Sequence, residues 1–251
     1  MVKGLELFRD HFSDMTDQYV LIGGAASFLA LAEGELGFRN TRDLDIVLLQ
    51  NAESKSFTTR LWDFVNAGGY EIKQRSDGSG PILFRFSKPA DQSYPSQLEF
   101  FSKLTEGVSL AEEATITPIP TDEGLTSLSA ILLDEAYFEF LKAGMHDSGG
   151  LSFIKADRLI PFKARAWLDL TTRKAAGETV DSKNILKHRN DVISLSELLE
   201  PEMATLPDSI ATDLLLFLDH LVHEDVEPKK LCSSNDINQV IAGIKAAFSL
   251  P

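Results

Sequence analysis

The sequence predicts an α/β or α+β domain over residues 1 to 155, followed by a helical domain over residues 156 to 251. Short apolar runs alternate with segments of helical composition in the first part, whereas the second part is helical in composition. A glycine-containing segment, residues 144 to 150, interrupts the pattern, and residues 151 to 154 are predicted to be a last edge strand. We therefore place the domain boundary between residues 144 and 155.

A tight turn joins the first predicted strand to the first predicted helix. The apolar run at residues 19 to 22 stops at Gly23 and Gly24, and residues 25 to 32 favour a helix. Paired glycines let the backbone approach a ligand closely, and the N–H groups of a helix N-terminus favour an anion such as a triphosphate. A Gly-Gly pair between a strand and a helix is also common as a simple turn.

Two carboxylates lie on the next predicted strand. Successive side chains of a strand point to opposite faces, so Asp43 and Asp45 share one face while Leu44 and Ile46 point to the other. Two ionised carboxylates beside an apolar run are costly unless a cation or hydrogen-bond donors compensate them. Mg²⁺ takes oxygen ligands and keeps substrate phosphates in its shell, so the pair is a candidate metal site.

A third carboxylate is expected on a later strand. In residues 96 to 101 the alternation leaves Glu99 on the face opposite Leu98 and Phe100, although a solvated strand face explains the same pattern. Residues 80 to 87 are predicted to pair with this strand, which would bring Arg85 toward the same site.

The second domain is predicted to contain several helices. One begins near Pro161 and places Lys163 and Trp167 one turn apart on a shared face. Residues 182 to 193 form a second helix, in which Lys187 and Asp191 are i,i+4 neighbours. Residues 209 to 248 supply further helices, with a buried stripe predicted at Leu214, Leu218, Leu221 and Val222.

Composition excludes several classes of protein and disfavours one class of partner. The single cysteine, Cys232, excludes an internal disulfide and a cysteine-based zinc cage, and no apolar run is long enough for a membrane span. We expect a cytoplasmic protein without a secretion signal. The net charge of −14 disfavours broad DNA or RNA binding. A local basic segment, residues 163 to 189, is either a binding patch or a solvated helix surface.

The motifs together resemble the nucleotidyltransferases of the DNA polymerase beta-like superfamily, and within them the AbiEii/AbiGii-type toxin family. Gly23-Gly24 and the segment Arg39-x-Thr41-x-Asp43-Leu44-Asp45 carry the resemblance, and Lys163-x-x-Ala166 and the segment from Lys187 to Asp191 match more loosely. The likeness covers residues 18 to 195. It implies a nucleotidyltransferase fold with a mixed sheet, and an enzyme that moves a nucleoside monophosphate from an NTP to an acceptor.

The resemblance also implies roles for single residues. Asp43, Asp45 and Glu99 would be the catalytic residues and would hold two Mg²⁺ ions. The nucleotide would be bound by five residues: Gly23, Gly24, Ser27, Thr41 and Lys163. Ala25 departs from the Ser or Thr that relatives often carry after the glycines, so a hydroxyl donor is missing there, and Ser27 is the candidate replacement.

The acceptor and the partners stay open at this level. The acceptor is a tRNA, a protein or a small molecule, and the resemblance implies a toxin with a cognate antitoxin. A small-molecule adenylyltransferase acting on an aminoglycoside-like acceptor is the first alternative, since the acidic charge would attract a polycation. A nucleotide-binding module without catalysis and a helical interaction protein with a vestigial cleft are the others.

Overall fold

The computed structural model describes residues 2–49, 55–72, 82–102, 131–132 and 134–251. The strands of this part are β1 Tyr19–Ile22, β2 Asp43–Leu48, β3 Glu71–Ile72, β4 Ile82–Ser87, β5 Gln97–Ser102, β6 Met145–Ser148 and β7 Leu151–Ile154. Its helices include α1 Leu5–Phe12, α2 Gly23–Glu33, α3 Lys55–Gly68, α4 Glu135–Ala143, α5 Ala156–Ala175, α6 Ser182–Leu195, α7 Asp208–Leu221 and α8 Ile237–Ala247. A mixed sheet followed by helices confirms the predicted fold class.

The chain divides into two compact units. The sheet unit takes residues 1–32, 37–120 and 145–154, and the helical unit takes residues 33–36, 121–144 and 155–251. In the described part of the chain, no helix is long and apolar enough to cross a membrane.

The seven strands form one mixed sheet in the order β3-β4-β5-β2-β1-β7-β6. Two neighbouring pairs are parallel, β2 with β5 and β1 with β7, and the others are antiparallel. The prediction that residues 80 to 87 pair with residues 97 to 101 is confirmed for β4, while residues 80 and 81 lie outside the described residues. The parallel β2–β5 pair is internal to the sheet. The strand face that carries Asp43, Asp45 and Glu99 therefore lies in the middle of the sheet.

Aromatic side chains pack α1 and α3 against the sheet. The Phe8 ring meets Tyr19 and Phe64 edge-on, with ring centroids 5.3 and 5.8 Å apart, and Phe12 stacks against Phe8 at 4.6 Å. All four residues of β1 are buried, because this strand has neighbours on both edges. An apolar run without alternation is typical of such an inner strand.

The end of the sheet unit differs from the prediction. Residues 151 to 154 were expected as an edge strand, but β7 lies between β1 and β6, and β6 is the edge. The segment around residues 144 to 150 was interpreted as a break, whereas it contains β6 and a tight turn. Gly149 and Gly150 have positive φ angles of 60° and 78°, as a two-residue hairpin turn requires, so these glycines connect two strands.

The helical unit follows the predicted helices with two corrections. The first helix was expected to begin near Pro161, but α5 begins at Ala156 and contains Pro161 in its interior. Leu159 and Ile160, directly before the proline, are buried in the helical unit, and this packing supports the turn that precedes Pro161. Val222 was expected in the buried stripe, but it follows the last residue of α7 and is 47% exposed.

The second predicted helix of this unit is confirmed as α6. The Asp181 side chain accepts a hydrogen bond of 2.9 Å from the Lys183 N–H and caps its start. Ile185, Arg189 and Val192 are buried along one face of this helix.

A buried ion pair joins α5 to α6. The Lys163 Nζ atom donates to Asp191 Oδ2 at 2.7 Å, and the two side chains are 5% and 3% exposed. The predicted partner of Asp191 was Lys187, which is exposed on the same helix. Asp191 therefore compensates the charge of Lys163 within the helical unit.

We expect Lys163→Ala to destabilise the protein by about 3 to 5 kcal/mol, because it leaves a buried carboxylate without this cation. Lys174→Ala is the matched control, since that exposed ammonium donates to Ser182 Oγ at 2.7 Å on the surface of the same helix pair. The control should cost no more than about 0.5 kcal/mol. Urea unfolding measures both values, and equal losses would contradict a stabilising role for the buried pair.

Carboxylates of the helical unit bind several charges of the basic segment. Arg165 lies 2.8 Å from Asp213, Arg173 lies 2.8 Å from Glu178, and Arg189 lies 2.6 Å from Glu224. Carboxylates therefore already compensate the charges of these three arginines. The segment is better described as a helix surface with ion pairs than as a nucleic-acid patch.

Candidate active site

The parallel pairing of β2 and β5 brings the predicted carboxylates to one place. The register sets Asp43 beside Gln97 and Asp45 beside Glu99. Leu44 and Ile46 are fully buried, as expected if the aspartates occupy the opposite face of the strand. Asp43 is exposed and Asp45 is half-buried, so this end of the strand is open to solvent. Residues more than fifty positions apart in the chain thus share one face of the sheet.

Glu99 is held by two neighbouring side chains. Its Oε1 atom lies 3.0 Å from Arg85 Nε on β4, where Arg85 is directly opposite Glu99 in the antiparallel register. Gln97 Nε2 donates a hydrogen bond to the same Oε1 atom. Glu99 is only 6% exposed and Arg85 only 8%, so the ion pair lies below the surface.

The environment of Glu99 favours its protonated form. Burial raises the pKa of Glu99 to about 8, and the negative charges of Asp45 and Asp43 add to this, while the Arg85 guanidinium opposes it. A hydrogen bond between the Glu99 and Asp45 side chains acts in the same direction as burial. Without a metal, Glu99 therefore retains its proton near neutral pH. A divalent cation would compensate the same charges in place of that proton.

We expect Glu99→Gln to flatten the pH dependence of stability in the absence of metal. The folded-state pKa of Glu99 is raised from its ordinary value of 4.5 to about 8, so the folded protein holds this proton more tightly than the unfolded chain. The stabilisation that comes from protonated Glu99 is complete below pH 4.5 and is lost as the pH rises to about 8. In a chelating buffer, the free energy of unfolding of the wild type should therefore fall relative to Glu99→Gln across this range. Parallel pH profiles for the two proteins would contradict the raised pKa.

The first turn of α2 lies against the carboxylates. The helix begins at Gly23 itself, not after the glycines, and Gly23 has a φ angle of 62°. A Cβ atom on Gly23 would overlap the Asp45 carboxylate, so the missing side chain is what lets Asp45 approach the helix start. A Cβ atom on Gly24 would lie 2.8 Å from Thr41 Oγ1, with Arg39 Nη2 at 3.6 Å.

Two predicted details of this turn have a structural explanation. The Ser27 hydroxyl donates to the Gly23 carbonyl oxygen at 2.7 Å, one helical turn back, and Ser27 is fully buried. Ser27 therefore supports the start of α2, and its contact with the nucleotide stays a prediction. Ala25 is fully buried as well, so the departure from a hydroxyl at that position lies in the core of the sheet unit.

Two residues at this site were not assigned from the sequence. Gln97 lies two positions before Glu99, so the same alternation that places Glu99 places Gln97 on its face. Arg39 lies beside Gly24. The only signal in the sequence for this position is that Arg39 belongs to the segment from Arg39 to Asp45. The predicted contact of Lys163 with a triphosphate stays a prediction.

Mg²⁺ fits the donor set chemically, since Asp43, Asp45 and Glu99 supply hard oxygen ligands on one sheet face. Among the described residues, no three Asp, Glu, His or Cys side chains are already grouped around one point as metal ligands. Asp45 and Asp43 are both near enough to Glu99 to raise its pKa. The three carboxylates are therefore neighbours on one face of the sheet.

Comparisons with known proteins give a distant likeness. No family model and no curated protein match the chain. Among solved structures, a cytoplasmic RNA terminal U-transferase aligns with 89% of this chain and 66% of its own, at 12% identity and a TM-score of 0.30. The Cid1 poly(U) polymerase with MgGTP aligns over 89% and 67%, at 12% identity and a TM-score of 0.31. Similarity at this level carries no argument about activity, and membership of the AbiEii/AbiGii-type toxin family stays a prediction.

Proposed function

We propose that this protein is a metal-dependent nucleotidyltransferase that moves a nucleoside monophosphate from an NTP to an acceptor. One observation carries the proposal: two carboxylates, Asp45 and Glu99, lie side by side on adjacent parallel strands, directly against a helix start that has no side chain at Gly23. Carboxylates that bind hard cations and backbone N–H groups that bind phosphate are both needed to hold a metal–triphosphate complex.

The residues of the sheet unit have separate tasks in this proposal. Asp43 and Asp45 bind the cations, and Glu99 ligates one of them and accepts the proton of the attacking hydroxyl group. Gly23 and Gly24 offer N–H groups to the phosphates, and Thr41 borders the same turn. Mg²⁺ bound there supplies Lewis-acid polarisation of the α-phosphate and charge neutralisation.

A labelled-NTP transfer screen tests the proposal. Purified protein is incubated with Mg²⁺ and each α-labelled NTP in the presence of tRNA, protein or small-molecule fractions, and pyrophosphate release is measured in parallel. We expect label to enter one fraction with equimolar pyrophosphate. Tight Mg²⁺-dependent NTP binding without pyrophosphate in any fraction would favour a nucleotide-binding module. Absence of NTP binding would remove the proposal.

Charge favours a cationic small molecule as one acceptor class. The net charge is −14, and Arg165, Arg173 and Arg189 of the basic segment are already bound by carboxylates. An aminoglycoside-like polycation would be attracted by this surface, whereas a polyanionic RNA would be repelled. The transfer screen separates the two, because salt should raise the KM for a polycation. The role of a toxin with a cognate antitoxin is a further proposal, which co-expression with the product of the neighbouring gene tests.

A further inference from the structure

Two side chains converge on one oxygen of Glu99, and metal chemistry alone does not require either of them. Arg85 reaches Oε1 from β4 at 3.0 Å, and Gln97 donates to the same atom from β5. The first contact follows from the direct cross-strand pairing of Arg85 with Glu99, and the second from the i,i+2 spacing on one strand face. Both partners thus come from rigid strands of the same sheet.

Stability alone is a poor explanation for this arrangement. Replacing a buried ion pair by apolar residues of similar volume is often neutral or stabilising, so a buried arginine on a sheet face is weak support for the fold. Gln97 adds a neutral donor to an oxygen that already has a guanidinium beside it. The combined effect is geometric, because contacts from two directions fix the orientation of the carboxylate group next to Asp45.

We infer, on the basis of the nucleotidyl transfer proposed above, that Arg85 and Gln97 are positioning residues that hold Glu99 in the orientation needed to ligate a divalent cation together with Asp45. Partners that orient a ligating carboxylate contribute to metal affinity although they never touch the metal. Arg85 supplies charge at close range, and Gln97 supplies a directional hydrogen bond.

Mn²⁺ binding to the full chain tests this inference without reference to turnover. Isothermal titration calorimetry is run on the wild type and on four variants: Arg85→Gln, Arg85→Lys, Gln97→Leu and Arg60→Gln. We expect Arg85→Gln to weaken Mn²⁺ binding about 10- to 100-fold and Gln97→Leu to weaken it less, with partial recovery in Arg85→Lys. Arg60→Gln is the matched control, because Arg60 pairs with Asp14 at 3.1 Å elsewhere in the sheet unit.

The direction of the change decides between positioning and simple electrostatics. Loss of a cation beside three carboxylates would by itself strengthen the attraction of Mn²⁺, so tighter or unchanged binding in folded Arg85→Gln would overturn the inference. Far-UV circular dichroism verifies folding, and if Arg85→Gln does not fold, Gln97→Leu decides on its own. Wild-type protein that binds Mn²⁺ but releases no pyrophosphate with any NTP would remove the proposed function while leaving the positioning role measurable.

Discussion

Replacing Asp45 with Asn is expected to reduce NTP-dependent pyrophosphate release to background in a protein that still folds. The substitution keeps the size of the side chain but removes the charge with which Asp45 would bind Mg²⁺. Loss of metal-derived stabilisation of about 4 kcal/mol in the transition state corresponds to a rate about 1000-fold lower. Asp43→Asn should behave in the same way.

Thermal stability separates this effect from unfolding. Above about pH 8, where Glu99 also ionises and the two carboxylates repel each other, the metal-free Asp45→Asn variant should be as stable as the wild type or more stable. Asp17→Asn, an exposed aspartate of the same unit, is the control and should retain activity. Full pyrophosphate release by well-folded Asp45→Asn would exclude the two-carboxylate assignment.

Replacing Gly23 with Ala is expected to lower activity at least about 100-fold, because displacing a reacting group by about 1 Å has effects of this size. The added Cβ atom would overlap the Asp45 carboxylate, which must then move away from the helix start. The left-handed backbone at Gly23, with a φ of 62°, adds strain of about 1 to 2 kcal/mol for a residue with a side chain.

Gly149→Ala provides a matched control for this backbone strain. Gly149 has a φ of 60°, and a Cβ atom there would meet nothing within 4 Å. Both variants should therefore lose similar stability in urea unfolding, but only Gly23→Ala should lose pyrophosphate release. Equal activity of the two variants would show that the approach of Asp45 to Gly23 has no part in the reaction.

The sequence predicts the positions of most residues of the candidate site, because alternation along a strand determines which face each side chain occupies. Asp43, Asp45 and Glu99 follow from the two-residue period, and the β4–β5 pairing that carries Arg85 follows from two neighbouring strand patterns. Gln97 obeys the same period, but a neutral side chain gave no chemical reason to select it. Arg39 lies in an irregular segment, where no period indicates a neighbour.

The parts that sequence reasoning missed depend on turns and on the ends of elements. Gly149 and Gly150 adopt positive φ angles and close a hairpin, so the strand before them was interpreted as a break. A proline is often taken as a helix start, but α5 begins at Ala156, before Pro161, and packing of the buried Leu159 and Ile160 supports this earlier turn. Asp191 pairs with Lys163 and not with Lys187 on its own helix, because packing between α5 and α6 overrides spacing within one helix.

The central claim is that Asp43, Asp45 and Glu99 together bind the metal that carries the nucleotide. A crystal structure of the full chain with Mn²⁺ and a non-hydrolysable NTP tests this directly through the anomalous signal of the metal. We expect anomalous density ligated by Asp45 and by at least one of the other two carboxylates, with the triphosphate at the first turn of α2. Metal density away from this sheet face, or a bound triphosphate with Glu99 still hydrogen-bonded to Asp45, would contradict it.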